Sequence, residues 1–68
     1  MKITRVELDS TDTIVSERAY EFDGEWFHQE MLLHHEKSVK VHYINTETGE
    51  QFPPEIETLL EARFKKQG

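Results

Sequence analysis

One stretch of the sequence has the periodicity of an amphipathic helix, and it lies at the C-terminal end. In FPPEIETLLEARFKK, a single stripe at spacing i, i+3, i+4, i+7 and i+8 contains Ile56, Leu59, Leu60, Arg63 and Phe64. Pro54 suits the first helical turn, where its missing N–H breaks no hydrogen bond. The pattern predicts a helix over residues 54–66, and such a helix needs a second layer on which to bury its stripe.

The residues ahead of this helix are patterned as strands. KITRVEL, TIVSERAYEF and SVKVHYI contain many β-branched and aromatic residues, and the last alternates Val41 and Tyr43 with polar side chains. The dipeptide Asp23-Gly24 is typical of a β-hairpin turn, and Gly49 suits a turn position with positive φ. We therefore expect antiparallel strands joined by short turns.

The segment EWFHQEMLLHHE, residues 25–36, is ambiguous between strand and helix. As a strand it places Phe27, Met31 and Leu33 on one face, and a short turn then sets Leu33 opposite Val41. The apolar side chains of both strands then fall on the same side of that hairpin, and burial of one face selects a strand register of this kind. The pattern favours a strand here, paired with the strand that follows.

The resulting fold class is α+β: a four-stranded antiparallel meander sheet with one C-terminal helix packed on one face (ββββα), in a single domain over residues 1–68. A helix at residues 25–36 would instead give ββαβα. A domain this short buries only ~60% of the surface that its unfolded chain exposes, and without cysteine it has no disulfide to constrain it. Its stability therefore depends on the packed core or on association with a second subunit.

Charge is distributed unevenly along the chain. Residues 1–36 contain nine acids and three bases and so account for the whole net charge of −6, whereas residues 37–68 contain five of each. Such a body repels nucleic acid, because nucleic-acid binding draws on lysine and arginine. It attracts a basic protein instead. The predicted partner is another protein with a basic surface, and we do not expect nucleic acid to bind.

The sequence indicates neither catalysis nor membrane insertion. It contains no nucleophile-elbow motif and no glycine-rich phosphate-binding loop. It also contains no secretory signal and no apolar run approaching ~18 residues. We expect a cytoplasmic, non-enzymatic protein without a cofactor.

The sheet face opposite the helix forms the candidate interaction surface. In the predicted register its members are Trp26, His28, Glu30, Leu32 and Ile44. Soluble monomers seldom leave so large an apolar patch exposed. The patch is expected to form a homodimer through the sheet, or to dock another protein with Trp26 and Tyr20 as anchors.

Two alternative functions remain open. In the same register His28, His34 and His42 share the outer face, and with a carboxylate they are weak candidates for a metal site. A sheet surface also stacks the bases in single-stranded nucleic-acid-binding proteins. Neither alternative is accompanied by a recognised motif.

The sequence as a whole favours a small acidic protein-interaction module, of the kind expected among phage or mobile-element accessory proteins and small regulators. One version is an inhibitor whose carboxylates imitate the phosphates of a nucleic acid that a basic target binds. The carboxylates predicted to imitate phosphates, and so to belong to the interaction surface, are those of Glu7, Asp9, Asp12, Glu17 and Glu21.

Overall fold

A computed structural model describes residues 1–29 and 31–67. In chain order the elements are β1 (Lys2–Leu8), β2 (Ile14–Phe22), β3 (Phe27–His28), β4 (Lys40–Asn45) and α1 (Pro54–Gln67). The strands pair antiparallel in one sheet. The predicted α+β class with the ββββα element order is therefore confirmed.

The order of the strands in the sheet is β3-β2-β1-β4, which corrects the predicted meander. Val41 lies opposite Glu7 of β1, and not opposite Leu33. The reason is that β1 is buried on both faces: Arg5 and Glu7 are buried on one side and Val6 on the other. A strand buried in this way belongs in the middle of a sheet with a neighbour along each edge, so β4 pairs with β1.

The chain between β3 at one edge of the sheet and β4 at the other is here called the crossover; its described residues are 29 and 31–39. Within residues 25–36 only Phe27–His28 is a strand, and the described residues there contain no helix, so the ββαβα alternative is not found. Side chains bind the backbone of the crossover: the Tyr20 hydroxyl accepts the N–H of Leu33 at 3.3 Å, and the Glu7 carboxylate accepts that of His35 at 3.1 Å. These bonds replace the strand ladder that the sequence predicted.

Helix α1 confirms the predicted helix, extended to Gln67. The helix is rotated relative to the predicted stripe: Leu60 and Phe64 are buried, whereas Ile56 and Leu59 are 38% and 53% exposed. Within the described part of the chain, no helix has the length and apolarity needed to cross a membrane.

The core between the sheet and α1 is mostly aromatic. It contains Ile3, Tyr20, Phe27, Tyr43, Leu60 and Phe64, with Phe22, Leu32, Val41 and Phe52 packed at its edge. The rings of Tyr20, Phe27 and Phe64 meet edge-to-face with centroids 5.5–6.1 Å apart, the geometry that their quadrupoles favour. These contacts fix where α1 lies on the sheet.

A charged network lies beside this aromatic core. The guanidinium of Arg5, 1% exposed, stacks 3.8 Å from the centre of the Phe64 ring. It binds the Glu7 and Glu61 carboxylates at 3.0 Å each, and its Nε donates to the Tyr43 hydroxyl at 3.0 Å. That hydroxyl donates in turn to Glu61 at 2.5 Å. Burial is tolerable for these charges because each of them has an ionic or hydrogen-bonding partner.

The two ends of α1 hydrogen-bond to the two edge strands. Near the start of the helix, the Glu57 carboxylate accepts the N–H of Tyr43 on β4 at 2.9 Å. At the end of the helix, the Gln67 amide accepts the N–H of Phe27 on β3 at 2.7 Å and donates to its carbonyl at 2.9 Å. Side chains of the helix therefore occupy backbone groups at both edges, and the backbone of Glu50 and Phe52 also bonds to β4, which limits pairing with other strands.

We predict that Gln67→Ala lowers the free energy of unfolding by about 1–2 kcal/mol, because two partly buried hydrogen bonds are lost. Amide exchange at Phe27 should accelerate at the same time. Urea unfolding and NMR-detected exchange measure the two effects, with Lys66→Ala as the exposed control at the same helix end. Unchanged exchange at Phe27 would show that the amide of Gln67 does not hold β3.

A second prediction concerns the pH dependence of Glu7. Burial alone would raise the pKa of this carboxyl, but the hydrogen bond from the His35 N–H and the charge of Arg5 outweigh burial, so the pKa lies below the ordinary value of 4.5. A carboxyl with a lowered folded-state pKa stabilises the fold above its unfolded pKa and loses that contribution as the pH falls.

Glu7→Gln should therefore cost about 3 kcal/mol of unfolding free energy at neutral pH. The difference from the wild type should shrink as the pH falls below ~4.5. Comparing the two chains by urea unfolding at each pH cancels the titration of every other carboxyl. A difference that stays constant down to strongly acidic pH would contradict the assigned pKa direction.

Candidate interaction surface

The predicted apolar patch is not assembled in the structure. Trp26 and His28 lie on the β2–β3 hairpin at one edge of the sheet, whereas Ile44 lies on β4 at the other edge. Leu32 packs against the core on the helix side. Glu30 lies outside the described residues. The patch fails to form because it required residues 25–35 to pair with 39–45, and both of those segments have other neighbours.

The predicted acidic residues have unequal access to solvent. Glu7 is 1% exposed, so its carboxylate cannot contact a partner. Asp9 binds the backbone N–H groups of the following turn, and Asp12, at a φ of 62°, pairs with a β4 lysine at 2.7 Å. Glu17 and Glu21 are exposed on β2. The acidic surface is thus smaller than the sequence indicated, and Glu7 belongs to the core.

The turn between β2 and β3 is held by one carboxylate. Oδ1 of Asp23 accepts the backbone N–H of Glu25 at 2.8 Å and that of Trp26 at 2.7 Å. Its Oδ2 lies 2.7 Å from Nε2 of His28, and its own N–H donates to the Trp26 carbonyl at 3.2 Å. Gly24 completes the turn at a φ of 103°, a conformation that disfavours side chains. The backbone around Trp26 is therefore fixed from both sides.

Trp26 is 49% exposed on this fixed turn, while Tyr20 is 1% exposed and belongs to the core. Of the two predicted anchors, the structure leaves only Trp26 accessible. We use the name Trp26 turn for residues 21–28.

The Trp26 turn is electrostatically acidic. Its carboxylates are those of Glu21, Asp23 and Glu25. The hydrogen bond from the His28 ring, followed by those from the N–H groups of Trp26 and Glu25, holds the pKa of Asp23 well below its usual range. Asp23 is thus ionised at every physiological pH. Glu21 accepts a hydrogen bond from the N-terminal ammonium at 2.8 Å, which lowers its pKa as well.

The histidines that were weak metal candidates are dispersed over the fold. Each ring meets a different carboxylate: His28 meets Asp23 at 2.7 Å, His34 meets Glu7 at 2.8 Å and His42 meets Glu57 at 3.4 Å. Over residues 1–29 and 31–67, no three His, Cys, Asp or Glu side chains are grouped as metal ligands. The shared outer face of the predicted register does not occur.

Two features of the structure were not predicted from the sequence, one in the Trp26 turn and one in the core. The Asp-Gly pair indicated a turn, but the network by which Asp23 positions Trp26 was not predicted, although aspartate commonly binds the backbone two residues on in turns. The burial of Arg5 with Glu7 was also missed, because nothing in the local pattern marks a charged pair as internal.

Comparison with known proteins does not extend this description. No family model matches the chain, and no curated protein or solved structure matches it at a significant level. The function is therefore inferred from the geometry of the molecule.

We predict that Asp23→Ala accelerates amide exchange at Glu25 and Trp26, because both N–H groups lose their acceptor. The Tyr43 amide, which is bound by Glu57 at a distant edge, should exchange at the wild-type rate. Asp23→Asn keeps an acceptor oxygen at Oδ1 and serves as the matched control. Equal acceleration in the alanine and asparagine variants would show that the turn does not depend on that oxygen.

Proposed function

We propose that the protein is a non-enzymatic interaction module that binds a partner protein with a basic surface, and that the Trp26 turn is its contact site. The proposal rests on one observation: a large aromatic side chain is 49% exposed on a turn whose backbone is fixed by the Asp23 carboxylate.

A fixed aromatic residue is well suited to anchor a complex. Tryptophan is enriched among the residues that dominate binding energy at protein interfaces. Because the turn is already ordered by hydrogen bonds, little conformational entropy of its backbone would be lost on binding. The ring of Trp26 thus offers apolar area at low entropic cost.

The charge around the ring favours a basic partner. Glu21, Asp23 and Glu25 lie on the same turn as Trp26, and the whole chain carries a net charge of −6. Complementary charge speeds encounter and discourages binding to acidic surfaces. An aromatic anchor on a turn that carries carboxylates would accept a Lys- or Arg-rich surface with an apolar pocket.

One form of this partner binding is inhibition of a protein that itself binds nucleic acid. Glu7 is buried and Asp12 is paired within the chain, so the mimicry of phosphates would fall to Glu17 and Glu21 on β2 together with the Trp26 turn. The nucleic-acid-binding alternative has no supporting observation, because Tyr20, Phe27 and Tyr43 of the strands pack in the core.

Trp26→Ala should abolish partner capture while leaving the fold intact. Immobilised wild type, Trp26→Ala and Leu59→Ala are exposed to cell lysate at low and high salt. Leu59 is 53% exposed on α1 and is therefore a control of equal accessibility. We expect a basic protein to be retained by the wild type and by Leu59→Ala, to be lost with Trp26→Ala, and to be released at high salt.

The purified partner provides a direct measurement. Trp26 is the only tryptophan of the chain, so its fluorescence reports contact at the proposed site. Binding should shift its emission and should weaken as salt increases. A partner that binds Trp26→Ala as tightly as wild type, or whose binding is indifferent to salt, would refute the proposed site.

A further inference from the structure

Strand β2 is longer than its outer neighbour in the sheet. Strand β3 pairs with it only at Glu21 and Phe22, whereas β2 begins at Ile14. Within residues 1–29 and 31–67, no backbone hydrogen bond reaches the outer side of β2 between Ile14 and Tyr20. A stretch of this kind is where a further strand can pair. Its central residues, 17–19, are here called the β2 edge.

The hydrogen bonds between β1 and β2 show which backbone groups point outward. The N–H of Phe22 donates to the Met1 carbonyl at 2.7 Å, and the N-terminal ammonium donates to the Phe22 carbonyl at 2.9 Å. Bonded and non-bonded pairs alternate along an antiparallel ladder. Arg18 therefore bonds to β1, and the β2 edge presents outward the N–H and C=O groups of Glu17 and Ala19.

The side chains of the β2 edge leave these backbone groups accessible. Glu17, Arg18 and Ala19 are all exposed. Successive side chains of a strand point to opposite faces of the sheet. Exposure of three in succession therefore shows that β2 is open to solvent on both faces at this point. A strand can be added here without displacing the helix residues that bind β3 and β4.

A groove runs beside the β2 edge on the helix side of the sheet. Arg18 lines it, because this residue lies directly opposite the inward-facing Arg5. Met31, which is 64% exposed, and Leu33 form an apolar wall. The far end is lined by His34, His35 and Glu36. In the part of the chain that the structure describes, no carboxylate pairs with Arg18, so the groove presents an uncompensated cation.

The charges of the β2 edge determine which strand fits it. Residues directly opposite each other on paired strands share a face and interact. An added strand therefore needs an acidic residue opposite Arg18 and a basic residue opposite Glu17. A second copy of this chain is disfavoured, because symmetric pairing of two β2 strands centred on Arg18 or on Glu17 sets like charges opposite each other.

We infer that the β2 edge binds, by antiparallel strand addition, an extended segment of another protein in which basic residues flank an acidic one. The acidic side chain enters the groove and pairs with Arg18, while the basic side chains lie on the opposite face near Glu17 and Glu21. In such complexes main-chain hydrogen bonds supply affinity and side chains supply specificity. The inference goes beyond the proposed function, since residues 17–19 lie outside the Trp26 turn.

A synthetic peptide, acetyl-Val-Lys-Glu-Lys-Val-amide, tests the inference in an NMR titration of the isotope-labelled protein. Its lysines would lie opposite Glu17 and Ala19, whose amide signals should shift until saturation, while that of Thr58 on α1 should not. Arg18→Glu should weaken binding about tenfold or more. Lys66→Glu makes the same charge change at the end of α1 and should bind like the wild type. Circular dichroism establishes that both variants are folded.

Methylation of the peptide backbone separates strand addition from charge attraction. N-methyl groups on both lysines remove the donors that face Glu17 and Ala19, so they should abolish binding, whereas an N-methyl group on the glutamate, whose N–H points away, should not. The charge-exchanged peptide acetyl-Val-Glu-Lys-Glu-Val-amide should not bind.

Three results would overturn the inference: no shifts at Glu17 and Ala19, wild-type affinity in Arg18→Glu, or equal effects of methylation at the lysines and at the glutamate. Trp26→Ala should bind the peptide like the wild type. Failure of the β2 edge to bind would thus be distinguishable from failure of the Trp26 turn.

Discussion

The buried guanidinium of Arg5 is the constraint on which the rest of the fold depends. An arginine in the interior must direct its N–H groups at acceptors, because an unpaired buried charge is far more costly than an unpaired surface charge. Three elements of the fold each contribute an acceptor: Glu7 from β1, Tyr43 from β4 and Glu61 from α1. The strands β1 and β4 and the helix are thereby joined at a single side chain, and moving β4 or the helix would remove one acceptor from the buried charge.

The two ends of α1 extend this arrangement to the edges of the sheet. Glu57 binds the backbone of β4 and Gln67 binds that of β3, so the helix spans the sheet from edge to edge. Because these edges already have side-chain partners, addition of a further strand to β3 or β4 would first have to displace a helix residue. The proposed contact site, the Trp26 turn, accordingly lies where the helix does not cover the chain.

Local patterns in the sequence predicted the elements but not their arrangement. The helix, the strand segments and the turns at Gly24 and Gly49 follow from short-range chemistry, and both glycines have the positive φ expected. Strand order does not follow, because alternation shows which side chains share a face but not which strand lies alongside. Hydropathy in KITRVEL does not show which face of β1 meets α1, since Val6 and Leu8 look more suited to a core than Arg5 and Glu7, which lie on the helix side. The predicted patch through Leu32 failed for the same reason.

The burial of β1 explains why the core and the proposed contact site are separate. Arg5 and Glu7 face the crossover and α1 and give both of them hydrogen-bonding partners, while Val6, on the opposite side of the same strand, is only 6% exposed. Because both sides of β1 are covered, this strand cannot lie at an edge of the sheet, and the exposed side chains belong to its neighbours and to the turns. The Trp26 turn is one such place: its backbone is ordered by Asp23 and does not depend on the charges of the interior. A partner that binds there would leave the Arg5 network undisturbed.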